Sequence, residues 1–255
     1  MTIYNAIGTD YTETRVPDPR IAKAIEHALG NAATVLNVGA GAGSYEPPGR
    51  HVVAVEPSEI MLRHRPTHAA AAVLARAEAL PFSDKTFDAV LAILTVHHWT
   101  DQLAGLRECG RVARQRVVIL TWDPMTAGFW LVHEYFPELL AYDQRIFPRL
   151  QVFSEVFAAL EVVPLMIPAD CTDGFLGAFW RRPEAYLEPC VRAGMSSFAR
   201  VPDVRPALAQ LKADLGSGEW DRRHGALREK AVLDVGYRIV IGVPHGAASH
   251  SEAHA

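Results

Sequence analysis

Between residues 19 and 121, short apolar runs alternate with stretches whose apolar residues recur every three or four positions, the pattern of a parallel sheet joined by crossover helices. The first stretch carries its own helix signals. Asp18 can cap it, Pro19 suits its first position, Ile21, Ile25 and Leu29 form an i, i+4 stripe, and Gly30 can end it. Buried strands are predicted at residues 34–38, 51–55, 71–75, 87–94 and 116–121, with a helix over 102–112. After Pro124 the pattern becomes mostly helical and rich in aromatics and proline, interrupted by two β-rich runs at 161–167 and 235–243. Those runs can complete the first sheet, with the segment between them inserted as a cap. No internal repeat or linker divides the chain, so one domain with an embedded cap is expected.

Gly39, Gly41 and Gly43 directly follow the first strand, in a loop where the backbone must turn sharply and approach a ligand. Glu56 stands at the end of the second strand, an acceptor-only side chain suited to both hydroxyls of a ribose. A dinucleotide site would place its third glycine where this chain has Ser44, and would open a helix opposite the pyrophosphate. Pro47 and Pro48 stand where that helix would propagate. The pattern points to a ligand with a ribose and no phosphates.

The run from Val35 to Asp123 resembles class I S-adenosylmethionine (SAM)-dependent methyltransferases, in particular the small-molecule group that includes the ubiquinone and menaquinone-biosynthesis enzymes. The resemblance rests on Val35-Leu36-Asn37-Val38-Gly39-Ala40-Gly41-Ala42-Gly43, on Val53-Ala54-Val55-Glu56-Pro57-Ser58, and on Ala77-Glu78-Ala79-Leu80-Pro81-Phe82 leading to Phe87-Asp88-Ala89-Val90. It implies a doubly wound α/β fold, a mostly parallel seven-stranded Rossmann-like sheet with one antiparallel strand near the C-terminus. It also implies SAM as cofactor. Gly39, Gly41 and Gly43 would then lie under the methionine part, Glu56 would hold the ribose, Met61 would flank the adenine, Ala77 would offer its backbone to the adenine edge, and Ile93 would face the amino acid moiety. Core packing is an equal reading of Met61 and Ile93. Two positions depart from the family pattern, Asn37 and Arg76, where acids are usual. Asn37 can still accept a hydrogen bond, and Arg76 leaves the adenine to the backbone, to Glu78 or to stacking. Upstream, Tyr4, Tyr11 and Arg15 lie in a stretch that often folds over the cofactor in this family. Tyr11 would act as a lid, and Arg15 could pair with the methionine carboxylate or lie in a solvated arm.

Methyl transfer from a sulfonium is an in-line displacement that needs alignment, plus a base where the nucleophile carries a proton. His97 and His98 lie just past the fourth strand, at the strand ends where open α/β sheets place ligands, and either can be that base. Adjacent side chains diverge, so at most one is expected to face the site, and capping or edge packing is the competing reading for each. Trp122 and Asp123 occupy the rim past the fifth strand, where Asp123 can equally cap a helix. Trp130, His133, Phe179 and Trp180 would form a cap that buries a flat or apolar acceptor, and Arg181 and Arg182 hint at an anionic group on it. The expected function is SAM-dependent methylation of a small molecule at an oxygen, nitrogen or carbon nucleophile. Two rivals remain: a SAM-binding protein that does not methylate, acting as an isomerase, cyclase or regulatory module, and a nicotinamide oxidoreductase, which Ser44 and the prolines disfavour.

With 255 residues, 49% hydrophobic and 21% charged, the chain has an ordinary globular composition, and its net charge of −4 with scattered arginines gives no footprint for nucleic acid. Asp10 and Glu13 stand where a secretory signal would have its apolar stretch, and no apolar run reaches membrane-spanning length, so a cytoplasmic protein without membrane contact is expected. Cys109, Cys171 and Cys190 are too widely spaced for a zinc site, and no metal is expected. The expected organisation is a lid segment over 1–18, a SAM-binding core over 19–123, the remaining strands with the inserted cap over 124–243, and a frayed tail over 244–255. The pattern leaves the oligomeric state open.

Overall fold

The computed structural model describes residues 15–247; Tyr4, Tyr11 and the tail beyond residue 247 lie outside the described residues. Helix α1 (Pro19–Leu29) forms where its signals lie: the Asp18 carboxylate accepts from the Arg20 amide at 2.9 Å, and Gly30 ends the helix at φ +54°. Its apolar stripe, Ile21, Ile25 and Leu29, is buried, each side chain contributing about 1.5–3 kcal/mol. Strands β1 (Thr34–Val38), β2 (His51–Glu56), β3 (Ala71–Leu74), β4 (Phe87–Ile93) and β5 (Ala113–Trp122) follow, with helices α2 (Glu59–Arg63) and α3 (Gln102–Val112) between them. The fifth strand starts earlier than its apolar run, because Ala113 still pairs with Phe87 while the polar Arg114 and Gln115 face solvent at the sheet end.

The second half adds α4 (Pro137–Ile146), α5 (Leu150–Ser154), β6 (Ala159–Pro164), β7 (Ile167–Pro168), α6 (Pro189–Ala193), α7 (Arg205–Ser217), α8 (Glu219–His224), β8 (Val232–Leu233) and β9 (Tyr237–Val243). Seven strands form one sheet in the order β3-β2-β1-β4-β5-β9-β6, and β9 runs antiparallel to both of its neighbours. The expected doubly wound sheet is therefore present. The β-rich run at 161–167 does not stay in it: β6 ends at Pro164, and Ile167–Pro168 pairs instead with Val232–Leu233, closing the root of an insertion over 165–236.

The strands are buried on both faces. Val35, Ala89, Leu91 and Leu120 point toward α1 and the insertion, whereas Leu36, Val90, Val117 and Ile119 pack with Leu106 and Cys109 of α3 and Phe153 of α5. The chain order reverses between β1 and β4, and at such a switch point the loops leaving the two strands diverge to opposite faces and open a crevice. Pro47 and Pro48 keep the β1–β2 connection free of helix, so that side of the crevice is lined by loop backbone. Among the described residues, no helix is long and apolar enough to cross a membrane.

Candidate functional site

Parallel pairing of β1 with β2, Val38 opposite Val55, carries the two strand ends forward together. The amides of Gly39 and Ala40 both donate to the Val55 carbonyl, at 2.8 and 3.0 Å, and Glu56 follows as the next residue. Its carboxylate accepts from the Gly41 amide at 2.9 Å and from the Ser58 amide at 2.9 Å, which fixes it against the glycine loop. Burial raises the Glu56 pKa, opposed by those two backbone bonds and the charge of Arg65. Gly39 sits at φ +68°, and a Cβ there would lie 2.0 Å from the Thr95 hydroxyl at the end of β4. Only glycine lets these two loops meet. Ser58 caps α2 by accepting from the Met61 amide, placing Met61 so that its Cε is 3.4 Å from where a Cβ on Gly41 would stand.

Asn37 is buried at the end of β1, and its amide donates to Glu46 at 3.4 Å. Glu46 also accepts from the Ala70 amide and from Arg65, whose guanidinium reaches the Gly41 carbonyl at 3.0 Å. A carboxylate at position 37 would repel Glu46, whereas an amide donates to it. The departure from the family pattern thus has a local cause. Arg65 and Glu46, which brace the glycine loop, were not singled out from the sequence, because nothing in the pattern links them.

A cavity of about 1230 Å³ opens over these strand ends. Asn37, Gly39, Gly41, Gly43, Glu56 and Met61 line it, joined by Ala77, Glu78 and Ile93. Glu78 is tied to the turn after β4, accepting from the amides of Thr100 at 2.7 Å and Asp101 at 3.3 Å, while Arg76 donates to the Thr100 hydroxyl. Arg15 reaches the cavity wall, and its guanidinium is bidentate on Asp173, at 2.6 and 3.2 Å.

His97 and His98 both line the cavity, where one at most was expected. They lie on a 3-10 turn (Val96–His98), whose tight pitch brings the rings to 3.8 Å between centroids. His97 stacks on Phe147 at 4.0 Å, and His98 Nδ1 accepts from Arg200 at 3.3 Å, which leaves the proton on Nε2. Burial, then His98 and Arg200, push the His97 pKa well below its ordinary value. Burial and the Arg200 charge push His98 down to about 3. Both imidazoles are neutral near neutral pH.

The aromatics expected over an acceptor do not line this cavity. Trp122, Trp130 and Trp180 are buried, each donating its indole N–H to a backbone carbonyl, of Val235, Trp180 and Ile167 respectively. Phe179 packs under Arg182 and edge-on to Tyr186, and His133 is exposed. Large rings with a satisfied N–H belong in the core between the sheet and the insertion, where Trp130 sits edge-on to Tyr135, Tyr186 and Trp220. Arg181 and Arg182 donate to backbone carbonyls, and Asp123 accepts from the Met125 amide, as a local cap would. Residues beyond the first five strands do reach the cavity, through Tyr142, Ile146 and Arg200. For α4 a signal was available: Leu139, Asp143 and Ile146 share one face, so a carboxylate sits in an apolar stripe. Asp143 is 1% exposed, and among the described residues neither of its oxygens has a hydrogen-bond partner. Burial pushes its carboxyl up to about 7, offset in part by the Arg200 charge and the Ser197 hydroxyl. Nothing in the sequence marks Arg200.

A methyltransferase-domain family pattern matches residues 36–121. Over 90% of its length the chain is 35% identical to a methyltransferase from Anabaena variabilis assigned to an antibiotic biosynthesis pathway, covering 98% of that protein with a TM-score of 0.82. A SAM-dependent methyltransferase from Thermotoga maritima shares the fold at a TM-score of 0.52 and 15% identity, over 88% of this chain and 86% of that one. Malonyl-[acyl-carrier protein] O-methyltransferase of Erwinia pyrifoliae is 38% identical over 111 residues, 41% of this chain and 42% of that enzyme. The chain covers only a quarter to two fifths of the length of the curated relatives it matches, an uncharacterized Escherichia coli protein at 25% and a Mycobacterium tuberculosis one at 39% among them.

Proposed function

Because the chain belongs to the SAM-dependent methyltransferase family, we propose that it binds SAM in the cavity over β1, β2 and β4 and methylates a small-molecule acceptor. The observation that carries the reading is the junction of the glycine loop with Glu56, Gly41 amide to carboxylate at 2.9 Å, inside that cavity. The lining fits the group: the glycine loop's backbone, an acceptor-only carboxylate for a diol, and an apolar Met61 for a flat base. When bound, SAM supplies an electrophilic methyl on a sulfonium.

This chain's residues then bind and align. Glu56 holds the ribose, the glycine loop lies under the methionine part, Met61 and the Ala77 backbone border the adenine, and Ile93 and Asn37 wall the amino acid end. His97 and His98 work as neutral hydrogen-bonding groups rather than ready bases, since burial and Arg200 both oppose their protonation. Exclusion of water and alignment of the acceptor carry the rate.

Glu56→Ala is expected to weaken SAM binding by about 1–3 kcal/mol, the cost of losing a charged hydrogen-bond partner. Calorimetry checks it, and undiminished affinity in a folded variant would remove Glu56 from the ribose. Turnover of SAM with a panel of phenols, amines and carboxylic acids tests the activity; binding without turnover on any of them would favour the non-methylating reading. The pH profile offers a separate test. With both histidine pKa values lowered, kcat/KM should show no acidic limb near pH 6.5, about where a free imidazole titrates. A limb there that disappears in His98→Gln would mean that the imidazole titrates as a base after all.

A further inference from the structure

Four arginines line the cavity: Arg15, Arg63, Arg76 and Arg200. Three face acids, with Arg15 on Asp173 at 2.6 Å, Arg63 on Glu59 at 3.1 Å and Arg76 near Glu78 at 3.7 Å. Among the described residues, Arg200 alone of the four has no carboxylate oxygen within 4.0 Å. Its hydrogen bond to His98 Nδ1 spends one N–H, and its guanidinium lies over the Tyr142 ring, 5.0 Å from the centroid. A guanidinium carries several donors in a planar fork, so most of this fork stays available. Around it the wall is flat and largely apolar: Tyr142, Ile146 and His97 with Phe147 stacked behind it. Asp143, one residue along from Tyr142, is buried without a hydrogen-bond partner among the described residues, an arrangement that costs stability. Arg200 is the cation whose charge reaches that carboxyl.

Building on the methyl-transfer reading, we infer that Arg200 anchors a carboxylate carried by the acceptor, so that the substrates are flat small organic acids. The anionic group hinted at by Arg181 and Arg182 would then be met elsewhere in the insertion. Those two arginines spend donors on the backbone carbonyls of Lys230, Cys171 and Ala178 and do not line the cavity, whereas Arg200 does. Arg200 is a specificity residue here. It selects which acceptors dwell beside the methyl donor.

The test uses the full chain saturated with the demethylated cofactor, S-adenosylhomocysteine, whose own affinity is measured first. Matched probes are then titrated by calorimetry: benzoate against benzamide, 4-hydroxybenzoate against its amide, and 2-naphthoate against its amide. At least one acid is expected to bind about ten-fold or more tightly than its amide, as a charge-assisted bidentate contact should. Arg200→Gln should abolish that preference while leaving S-adenosylhomocysteine affinity within about two-fold, which also shows that the variant is folded; Arg200→Lys should retain only part of the preference. If no acid outbinds its amide, or if the preference survives in Arg200→Gln, the anchor is elsewhere and the inference falls alone. If the wild-type protein fails to bind S-adenosylhomocysteine, the cofactor reading falls and takes this inference with it.

Discussion

Asp143→Asn is expected to stabilise the protein at about pH 8 by up to about 4 kcal/mol relative to wild type, and the gain should vanish toward about pH 4. The carboxyl is pushed up to about 7 in the folded state, because it is buried on α4 without a hydrogen bond among the described residues. In the unfolded chain it titrates at about 3.9. Below both values it is protonated in either state, and the native protein carries no penalty. As the pH rises through that window, the unfolded state releases its proton first, so wild-type stability falls by about 1.4 kcal/mol per unit until the folded carboxyl also ionises. The groups that face it, Arg200, Ser197 and Tyr237, keep their places in the variant, and Asn removes only the titration. Urea unfolding at several pH values reads the difference. A constant gap between variant and wild type across the range would show that Asp143 is solvated or paired.

Gly39→Ala should cost the fold about 2–5 kcal/mol, as strain in the left-handed region and as overpacking together. The new Cβ would meet the Thr95 hydroxyl at 2.0 Å and the Thr95 Cβ at 2.8 Å, and a β-branched side chain at the end of β4 cannot swing aside. Because Gly39 donates to Val55 next to Glu56, relief by backbone movement would displace the loop from the carboxylate, and SAM affinity should fall with stability. Adding Thr95→Ala to Gly39→Ala should recover part of the loss but not all, since the φ of +68° remains unfavourable for alanine. Full recovery would mean that the contact, not the backbone, required glycine, and a harmless single Gly39→Ala would contradict the close approach of the two loops.

The parts of the molecule written locally in the chain were legible from it. Apolar runs of strand length, punctuated by glycine and proline, predicted β1 to β5, and the prolines after Ser44 predicted a β1–β2 connection without helix. Glu56 could be paired with the glycine loop because strands adjacent in sequence were also neighbours in the sheet, so their ends necessarily met. Contacts between segments far apart in the chain are not written in it locally. An aromatic residue looks the same in sequence whether it covers a ligand or fills a core, and only the tertiary structure turned Trp130 and Trp180 inward, where their N–H groups find carbonyls. Likewise only the tertiary structure brought Arg15 to Asp173 across the fold, where the sequence left it either at the methionine carboxylate or in a solvated arm.

The chain by itself determined strands β1 to β5, the glycine loop and the acid beside it, because these follow from backbone dihedrals, side-chain size and the pairing of β1 with β2. Only the tertiary structure decided what surrounds the far side of the cavity. His97, Tyr142, Ile146 and Arg200 come from three separate stretches, and their meeting depends on how the 165–236 insertion and α4 dock against the end of β4. That docking is set by the summed burial of many side chains, no single one of which carries a mark in the sequence.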